Sequence, residues 1–426
     1  MALTARALAA DVLVRVEKDG AFASAALETA LSRSTQLLPR DRALATEMVY
    51  GTLRVRTWLV GRLQRHARKP IEKIDPRILT ELLVAAYQIF FLRVPAFAAV
   101  NEAVGAIRLA KGKEVAAFAN AVLRKLATEA AAETVDLRAA ALASCPPWLT
   151  AALARAVGEE NVASMIVADT TPPVCLRVRR AEERETWIAR LREAVPSAEI
   201  SPGGASPLAI LVRGAGRPQD LPGFDEGAWT IQEEGSQVVA LTLGAQPGEV
   251  VLDACAGRGN KTSLLAQAVL PGGAVDAADL HPSKLERLRE DLARQGTAPR
   301  ETFAVDWAIG AGGIAAGAYD RVLVDAPCSG TGTLRRRPDL FARKTPEALA
   351  ELAPLQLAIV TRAADCVRPG GTLLYAVCSV LVEEGEAVMS ALLASRTDLE
   401  ADGPALRLLP HVQGTDGYFL QTLKKR

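Results

Sequence analysis

The first 140 residues carry apolar positions in a helical repeat. Apolar residues recur three and four positions apart in segments such as PRILTELLVAAYQIFFLR and AAFANAVLRKLATEAAA. Asp75 precedes Pro76, the order expected where a helix begins, and Gly112 lies between two such segments, where two helices would separate. This pattern predicts an all-α bundle over residues 1–140.

The pattern changes after the segment SCPPWL. Between residues 145 and 235, two short segments typical of strands, VCLRVRR and LAILVRG, alternate with one helical segment, ERETWIARLREAV. These features predict a small α+β module over residues 145–235.

Residues 236–426 show a third pattern, in which apolar strands alternate with helices. EVVLDACA is followed by the helical segment NKTSLLAQAV, then by the strand-like GAVDAADL and a further helix. Continuously apolar strands in this alternation are typical of a parallel sheet with both faces covered. We therefore predict a multidomain chain that ends in a doubly wound, Rossmann-like α/β domain, with its ligands at the carboxyl ends of the strands.

Composition adds limits to this picture. A chain of 426 residues, 50% hydrophobic and 23% charged, is typical of a globular protein with two or three folded units. No apolar run is long enough to span a membrane. Asp11, Arg15, Glu17 and Lys18 interrupt the N-terminal segment at helical spacing, unlike a signal peptide. We expect a cytoplasmic protein.

The cysteines and charges exclude several classes of site. The six cysteines are far apart, and the chain has three histidines, so neither a zinc site nor a disulfide framework is predicted. A net charge of +1 gives no general sign of nucleic-acid binding, which must then depend on local clusters. Nothing in the sequence indicates an obligate protein partner, and we expect a monomer.

The first strand of the α/β region ends in a glycine-containing turn, DACAGRGNKT. Gly257 and Gly259 allow the backbone to approach a ligand before a helix begins near Asn260. A nicotinamide or nucleoside-triphosphate site is the alternative. The spacing fits neither GxGxxG nor GxxxxGK[ST], so both alternatives are disfavoured.

Aspartates follow four successive strands of this region: Asp253, Asp279, Asp306 and Asp325. One such residue alone is as well explained as a helix cap. As a set, we expect them to line one crevice, where Asp279 would accept hydrogen bonds from ribose hydroxyls. An acidic crevice disfavours triphosphates and suits a ligand with ribose, adenine and a positive centre. S-adenosyl-L-methionine has all three.

Two thiols follow neighbouring strands, Cys328 after YDRVLVDAP and Cys378 after GTLLYAV. A thiol is not needed to methylate a nucleophilic nitrogen or oxygen. It is needed when the target is an unreactive ring carbon such as carbon 5 of cytosine, because addition of a thiolate to carbon 6 makes carbon 5 nucleophilic. An isolated strand cysteine is more often structural, and that interpretation applies to the thiols of Cys145, Cys175, Cys255 and Cys366. Spacing alone leaves open which thiol would attack.

At these residues the chain resembles a known family, the bacterial ribosomal RNA cytosine-5 methyltransferases of the Sun/Fmu type, also called RsmB. The resemblance covers nearly the whole length. The segments that carry it are DAPCSGTG at 325–332, RRRPD, DACAGRGNKT, ADLHPSKLERL, DGYFLQTLKK, QEEGSQVVA and PPVCLRV. AVNEAV and FANAVLRK are similar to the RNA-binding helical domain shared with NusB antitermination factors.

The resemblance implies roles for individual residues. Cys378 would be the nucleophile, Cys328 would assist release of the methylated base, and Asp325 would bind the cytosine edge near the methionine end of the cofactor. Asp279 would bind its ribose and Asp306 its adenine. The residues that would wrap the methionine part are Cys255, Ala256, Gly257, Arg258, Gly259, Asn260 and Lys261.

Two departures from the family pattern lie within these motifs. The family loop usually reads Ala-Pro-Gly-Gly where this chain has residues 257–260, Gly-Arg-Gly-Asn, and the nucleophile usually follows threonine where this chain has Val377. The essential glycine and cysteine are kept, so we expect altered affinity at most.

Basic clusters are candidates for contact with small-subunit ribosomal RNA. They are Arg335–Arg337, the segment RVRTWLVGRLQRHARKP and the segment RVRR. Each such cluster is more often a solvated face, but their distribution across all three modules favours a long RNA surface over a small substrate. Two other functions share many of these features: a non-catalytic RNA-binding assembly factor, and a transfer-RNA or DNA cytosine methyltransferase. The paired thiols disfavour the first, and the helical N-terminal region favours ribosomal RNA over the second.

Overall fold

The computed structural model describes residues 4–169 and 171–426, and the chain separates into two compact units. One unit comprises Met1–Thr150 together with Arg336–Arg343, and the other comprises Ala151–Arg335 together with Lys344–Arg426. The short segment 336–343, which includes helix α15 (Leu340–Arg343), therefore belongs to the helical unit, although it lies within the sequence of the α/β region.

The first unit is helical, which confirms the predicted all-α bundle. Its α-helices up to residue 144 are α1 (Ala5–Asp19), α2 (Ala23–Arg33), α3 (Pro39–Arg54), α4 (Arg56–Gln64), α5 (Pro76–Phe91), α6 (Ala96–Lys111), α7 (Lys113–Ala132) and α8 (Leu137–Ser144). Helix α5 is buried along most of its length, from Ile78 to Gln88. It begins as predicted, because the Asp75 side chain accepts a hydrogen bond from the backbone N–H of Arg77 and proline occupies the first turn.

The helical region continues further than the sequence pattern predicted. Two more helices, α9 (Pro147–Val157) and α10 (Glu159–Val167), precede the first strand. The interpretation of SCPPWL as the end of the helical pattern was wrong, because Pro147 is the first residue of α9, a position where proline's missing N–H costs no hydrogen bond. Strands begin only at Val174.

A small antiparallel sheet follows, with the strand order β2-β3-β1-β4. Its strands are β1 (Val174–Val178), β2 (Glu199–Pro202), β3 (Ala209–Arg213) and β4 (Trp229–Ile231), and helix α11 (Arg184–Ala194) lies between β1 and β2 in the chain. The predicted segments VCLRVRR and LAILVRG form β1 and β3, and ERETWIARLREAV forms α11.

In the described chain, the large sheet has eight strands, seven of them in the order β10-β12-β9-β8-β5-β6-β7, with β11 paired to β12. They are β5 (Val250–Asp253), β6 (Ala274–Asp279), β7 (Thr302–Ala304), β8 (Tyr319–Asp325), β9 (Val367–Val377), β10 (Leu399–Ala401), β11 (Leu406–Leu408) and β12 (Tyr418–Lys425). Strands β9, β8, β5, β6 and β7 are parallel, which confirms the doubly wound prediction. Strands β10, β11 and β12 pair antiparallel, so the sheet as a whole is mixed.

Both faces of this sheet are covered. The helices that accompany it in the same unit are α12 (Glu234–Thr242), α13 (Asn260–Ala268), α14 (Pro282–Arg294), α16 (Pro346–Cys366), α17 (Glu386–Ser395) and α18 (Pro410–Gln413). In β8, Val322 and Val324 belong to one apolar core and Leu323 to the other. Since successive side chains point to opposite faces, two buried faces explain why the strand reads as continuously apolar.

The chain order within the sheet marks the position of the site. Strand β5 pairs with β6 on one side and with β8 on the other, so the winding direction reverses beside β5. The carboxyl ends of the strands at such a reversal form a crevice. Among the described residues, no helix is both long and apolar enough to cross a membrane.

Candidate active site

A cavity of about 240 Å³ lies at the carboxyl ends of β5, β6 and β8. Five predicted cofactor residues line it: Cys255, Gly257, Asp279, Asp306 and Asp325. Apolar and basic side chains that the sequence pattern did not single out complete the wall, among them Leu280, Lys284, Trp307, Leu355 and Ile359. The cavity therefore combines a glycine turn, three carboxylates and an apolar slot.

The remaining predicted cofactor residues, Ala256, Arg258, Gly259, Asn260 and Lys261, do not line this cavity. Ala256 packs in an apolar cluster with α14. Lys261 turns towards Asp325 instead. The structure thus brings part of the predicted loop to the cavity and uses the rest to support it.

The two glycines of the turn have different reasons for being glycine. Both have left-handed backbone conformations, with φ of +57° at Gly257 and +86° at Gly259. A Cβ at Gly257 would meet no atom within 4 Å, because this residue faces the cavity. A Cβ at Gly259 would lie 2.6 Å from Leu288 Cγ and 2.8 Å from Leu292 Cδ1. Gly259 therefore allows the turn itself to pack closely on α14.

Asp279 ties the end of β6 to the glycine turn. Its Oδ2 accepts a hydrogen bond from Gly257 N at 3.0 Å, and its Oδ1 accepts one from His281 N at 2.8 Å. Lys284 Nζ lies 3.3 Å from Oδ1. Asp279 thus holds the backbone of both the glycine turn and the residue before α14, and it is a member of the cavity wall.

Asp253 does not line the cavity, so the expectation that all four strand-end acids form one crevice was wrong for this residue. It is buried and accepts a hydrogen bond from Thr262 Oγ1 at 2.7 Å. Burial raises the pKa of Asp253 to about 6. This acid links β5 to α13 from behind the turn.

Asp306 lies beyond the end of β7 and is exposed. Its Oδ1 accepts a hydrogen bond from Ala308 N at 2.9 Å. The neighbouring Trp307 is buried, and its Nε1 donates to Ala254 O at 2.7 Å, which fixes the ring in the cavity wall. Sequence reasoning missed Trp307. Its position directly after a strand-end acid is the only local signal that could have identified it.

The two candidate catalytic thiols are neighbours. Cys328 Sγ and Cys378 Sγ are 3.3 Å apart. The parallel pairing of β8 with β9 places Asp325 opposite Ala376, so both cysteines lie just beyond the same sheet edge. The pKa of the Cys328 thiol is raised well above its ordinary value, first by its hydrogen bond with Cys378 and then by burial. Cys328 therefore holds its proton in this state.

The other four cysteines stand apart from this pair. Cys145, Cys175 and Cys366 are buried free thiols. Cys255 lines the cavity, and burial raises the pKa of its thiol well above the ordinary value. Among the described residues, no group of three or more His, Cys, Asp or Glu side chains is arranged to hold a metal ion.

Asp325 forms a short ion pair with Lys261, with Nζ and Oδ2 2.5 Å apart. Burial disfavours the Lys261 ammonium, but the charge of Asp325 and its hydrogen bond outweigh burial, so the pKa of Lys261 is raised. Lys261 thus stays charged and fixes one oxygen of the Asp325 carboxylate.

A buried carboxylate, Glu384, holds the loop that carries Cys328. Glu384 accepts hydrogen bonds from Ser329 N at 2.7 Å, from the Ser329 hydroxyl, and from Gln356 Nε2 at 3.0 Å. Gln356 also donates to Pro327 O at 3.0 Å, and Tyr375 donates to Glu384 O at 2.7 Å. Sequence reasoning missed this network, since nothing in the segment VEEGE distinguishes Glu384 from its neighbours.

Several predicted RNA-contact arginines are used inside the protein. Arg335 is 2% exposed, and it donates to Asp416 Oδ1 at 2.6 Å and to Gly414 O at 2.7 Å, so it was wrong to expect it on an RNA surface. In the segment RVRTWLVGRLQRHARKP, Arg56 forms an ion pair with Glu17, and Arg62 forms one with Glu133.

The segment RVRR shows the same internal use of arginine. Arg177 is buried, Arg179 donates to Gly227 O at 2.7 Å, and Arg180 pairs with Glu183. These three side chains are engaged with this chain's own polar atoms.

The cavity fits the parts of S-adenosyl-L-methionine. Gly257 leaves space that a Cβ would fill, Asp279 presents acceptor oxygens of the kind that bind ribose, and Leu280, Trp307 and Ile359 offer an apolar slot for a flat base. The acids suit a ligand with a positive sulfur centre.

Comparisons with known proteins agree along the whole chain. The family model described as 16S rRNA methyltransferase RsmB/F matches residues 240–424, and the NusB family model matches residues 3–128. A probable ribosomal RNA small subunit methyltransferase B of Bacillus subtilis is 32% identical over 99% of this chain and 98% of its own length. The ribosomal RNA small subunit methyltransferase B of Pseudomonas syringae pv. tomato is 33% identical over 99% of this chain and 96% of its own length.

Solved structures show the same fold. The crystal structure of PH0851 superposes with a TM-score of 0.84 at 22% identity and covers 100% of both chains. A methyltransferase homologue protein from Pyrococcus horikoshii superposes with a TM-score of 0.55 at 25% identity, covering 66% of this chain and 100% of its own. With these relatives matched along almost its full length, the chain belongs to the RsmB/F family of 16S rRNA methyltransferases, whose methyl donor is S-adenosyl-L-methionine.

Proposed function

We propose that this protein methylates carbon 5 of a cytosine in 16S ribosomal RNA through a covalent adduct between the base and Cys378. The observation that carries the proposal is the pair of thiols, 3.3 Å apart beyond the ends of β8 and β9. Methylation of a ring nitrogen or of ribose needs no thiol, whereas addition of a thiolate to carbon 6 is a direct way to activate carbon 5.

In this proposal, the cavity and the glycine turn beside it hold the cofactor. Residues 255–261 would wrap its methionine part, Asp279 would accept hydrogen bonds from its ribose, and Asp306 would bind its adenine. Bound S-adenosyl-L-methionine supplies an electrophilic methyl group on a positively charged sulfur. Trp307 and the apolar wall would exclude water from the reacting centre.

Cys378 would attack carbon 6, and Asp325 would bind the Watson–Crick edge of the flipped cytosine. The charge that the attack places on the ring would be relieved by a proton at ring nitrogen 3, which the Asp325–Lys261 pair would supply. Carbon 5 would then bond to the methyl group, whose bond to the cofactor sulfur breaks and leaves S-adenosyl-L-homocysteine. Because Lys261 fixes one oxygen of Asp325, the other oxygen remains for the base.

Cys328 would complete the reaction. Its proton stays on sulfur while Cys378 lies beside it as a free thiol or thiolate. Once Cys378 is bonded to carbon 6, that hydrogen bond and that charge are lost, so the pKa of Cys328 falls. After its own proton has passed to water, Cys328 can as a thiolate take the proton from carbon 5. The electron pair re-forms the ring double bond, and Cys378 leaves as a thiolate while nitrogen 3 returns its proton.

The substrate proposal follows the family and the helical region. A NusB-type helical region over residues 1–140 would bind RNA, a small α+β module would cover 145–235, and residues 236–426 would carry the catalytic domain. The protein would act on ribosomal RNA as a monomer. Because ribosomal RNA is the substrate, it would act in the cytoplasm.

The proposal is tested by mass spectrometry of unmodified 16S RNA after incubation with the protein and S-adenosyl-L-methionine. We expect one 5-methylcytosine with the native chain and none with Cys378→Ala. Cys328→Ala should leave protein covalently attached to RNA, which denaturing gel electrophoresis detects, because the adduct forms but is not resolved.

Cys366→Ala serves as the matched control, since Cys366 is a buried thiol away from the cavity. A methylated nitrogen or ribose, or full activity of Cys378→Ala, would overturn the covalent mechanism. No product on 16S RNA, with binding of the cofactor intact, would point to another RNA.

A further inference from the structure

Arg177, in strand β1, is a buried cation with an unusual set of partners. It is 1% exposed. Its Nη1 donates to Gln232 Oε1 at 2.7 Å and to Asn260 O at 2.8 Å, and its Nη2 donates to Ser263 Oγ and Gln295 Oε1, both at 2.8 Å. All four acceptors are neutral.

The charge of Arg177 is not compensated. No carboxylate of the described chain forms an ion pair with it, and its Nε has no hydrogen-bond partner there. Burial alone lowers its pKa to about 9, so the guanidinium remains charged at neutral pH. A buried cation without an acid is costly, and an apolar side chain of similar size would fill the same space at lower cost.

The position of this charge is informative. Asn260 and Ser263 form the first turn of α13, directly after the glycine turn. The first N–H groups of a helix and its dipole already favour an anion at this end, and a nearby cation is normally avoided. Here the cation and the helix terminus add to the same positive potential. Their sum is useful only if an anion binds next to this turn.

We infer that Arg177 is a specificity-determining positioning residue, which makes the turn at 257–260 selective for the carboxylate of the cofactor's methionine part. This inference depends on the proposed placement of the methionine part at residues 255–261. Arg177 acts through the carbonyl of Asn260 and the hydroxyl of Ser263, and through its uncompensated charge.

The test compares two ligands by isothermal titration calorimetry: S-adenosyl-L-homocysteine and its carboxamide, which keeps the shape but removes the negative charge. We expect the native chain to prefer the carboxylate by about tenfold, roughly 1.4 kcal/mol. Arg177→Met should reduce this preference to within about twofold, and Arg177→Lys should keep part of it.

A second variant tests the charge without emptying the site. Gln295→Glu places a carboxylate where an amide oxygen now accepts from Arg177. It should lower the preference for the carboxylate ligand as Arg177→Met does, without loss of thermal stability. This variant keeps the test decisive if Arg177→Met does not fold.

Two controls separate charge from structure. Ser263→Ala removes one hydrogen bond but no charge, so it should weaken both ligands equally. Arg179→Met removes a neighbouring arginine that donates to Gly227 O, and it should leave the preference unchanged. Equal weakening of both ligands by Arg177→Met and no effect of Gln295→Glu would overturn the inference, as would a native chain without preference. Failure of the native chain to bind either ligand would instead contradict the placement of the cofactor.

Discussion

At the scale of the residue, burial decides which of the similar side chains in the site are available for chemistry. Asp253 and Asp279 both end strands, but Asp253 is sealed behind the turn with a pKa of about 6, whereas Asp279 reaches the cavity. Cys328 and Cys378 are both thiols, but the hydrogen bond and burial keep the proton on Cys328. Residue type alone does not make these distinctions.

Glu384 provides a test of how the thiol loop is held. Glu384→Gln removes the negative charge that accepts three hydrogen bonds, and its NH₂ would stand where Oε2 now accepts from the Ser329 hydroxyl. We expect a loss of about 1–3 kcal/mol in the free energy of unfolding. We also expect kcat to fall by roughly 10- to 100-fold, because small misplacements of reacting groups are costly.

Denaturant titration and methyl-transfer kinetics measure these two effects. The affinity for S-adenosyl-L-homocysteine should not change. Glu383→Gln is the matched control, since Glu383 pairs with Arg155 nearer the surface. Normal kcat in Glu384→Gln would show that the loop does not need this carboxylate.

Glu81 in α5 should make stability fall as pH rises. Burial raises its pKa from an ordinary 4.5 to about 7. An acid with a raised pKa in the folded state stabilises the fold fully below pH 4.5, and this contribution disappears as pH rises through 7. The change is at most about 3 kcal/mol.

Glu81→Gln removes this titration, so the variant should be more stable than the native chain at about pH 8 and should lose less stability between about pH 5 and 8. Thermal unfolding at several pH values checks this. Parallel pH profiles for the variant and the native chain would contradict the assignment to Glu81.

At the scale of the element, strand register and helix packing build the site. The parallel pairing of β8 with β9 brings the two thiols together from positions 50 residues apart. Similarly, the close packing of Gly259 on α14 fixes the path of the glycine turn after β5.

The two glycines of the turn predict different defects. Gly259→Ala would force a Cβ against Leu288 and Leu292 and should lower stability by more than about 2 kcal/mol. Gly257→Ala should lower stability by only about 1–2 kcal/mol, the strain of alanine in a left-handed backbone conformation. Its Cβ, however, would enter the cavity.

Thermal unfolding and calorimetry with S-adenosyl-L-homocysteine separate the two effects. We expect Gly257→Ala to weaken binding strongly relative to its small loss of stability. If it bound the ligand normally, the cavity beside Gly257 would not be the cofactor site.

At the scale of the whole molecule, the charges available to RNA are fewer than the sequence indicates. A net charge of +1 gives little general attraction to RNA, so RNA binding must depend on local clusters of basic residues. Several arginines of those clusters form ion pairs within the protein. In the helical unit, Arg68, Lys69 and Lys73 remain exposed.

We expect Lys69→Gln combined with Lys73→Gln to weaken RNA binding and to reduce the slope of log K against log salt by about 0.7–0.9 for each phosphate that is no longer neutralised. Filter binding at several salt concentrations measures this, and cofactor affinity should stay constant. Exposed Arg180, in the other unit, supplies the comparison Arg180→Gln. An unchanged slope in the double variant would exclude this surface from RNA binding.

Local residue order is enough to specify the classes of structure and much of the chemistry. Helical periodicity predicted the bundle, and continuously apolar strands predicted the parallel sheet, because periodicity and burial on both faces are written into the order of the residues. The ends of strands are recognisable in the same way, and for that reason Cys328, Cys378 and Asp325 could be singled out from the sequence. Their assignment as nucleophile, release residue and base-binding residue came from the family resemblance.

Which groups meet in the folded protein is a property of the tertiary arrangement. The exclusion of Asp253 from the cavity, the internal use of Arg335, the support of the thiol loop by Glu384 and the uncompensated charge of Arg177 all depend on partners distant in sequence. Hydrogen bonding and desolvation depend on three-dimensional neighbours, and a local pattern contains no record of them.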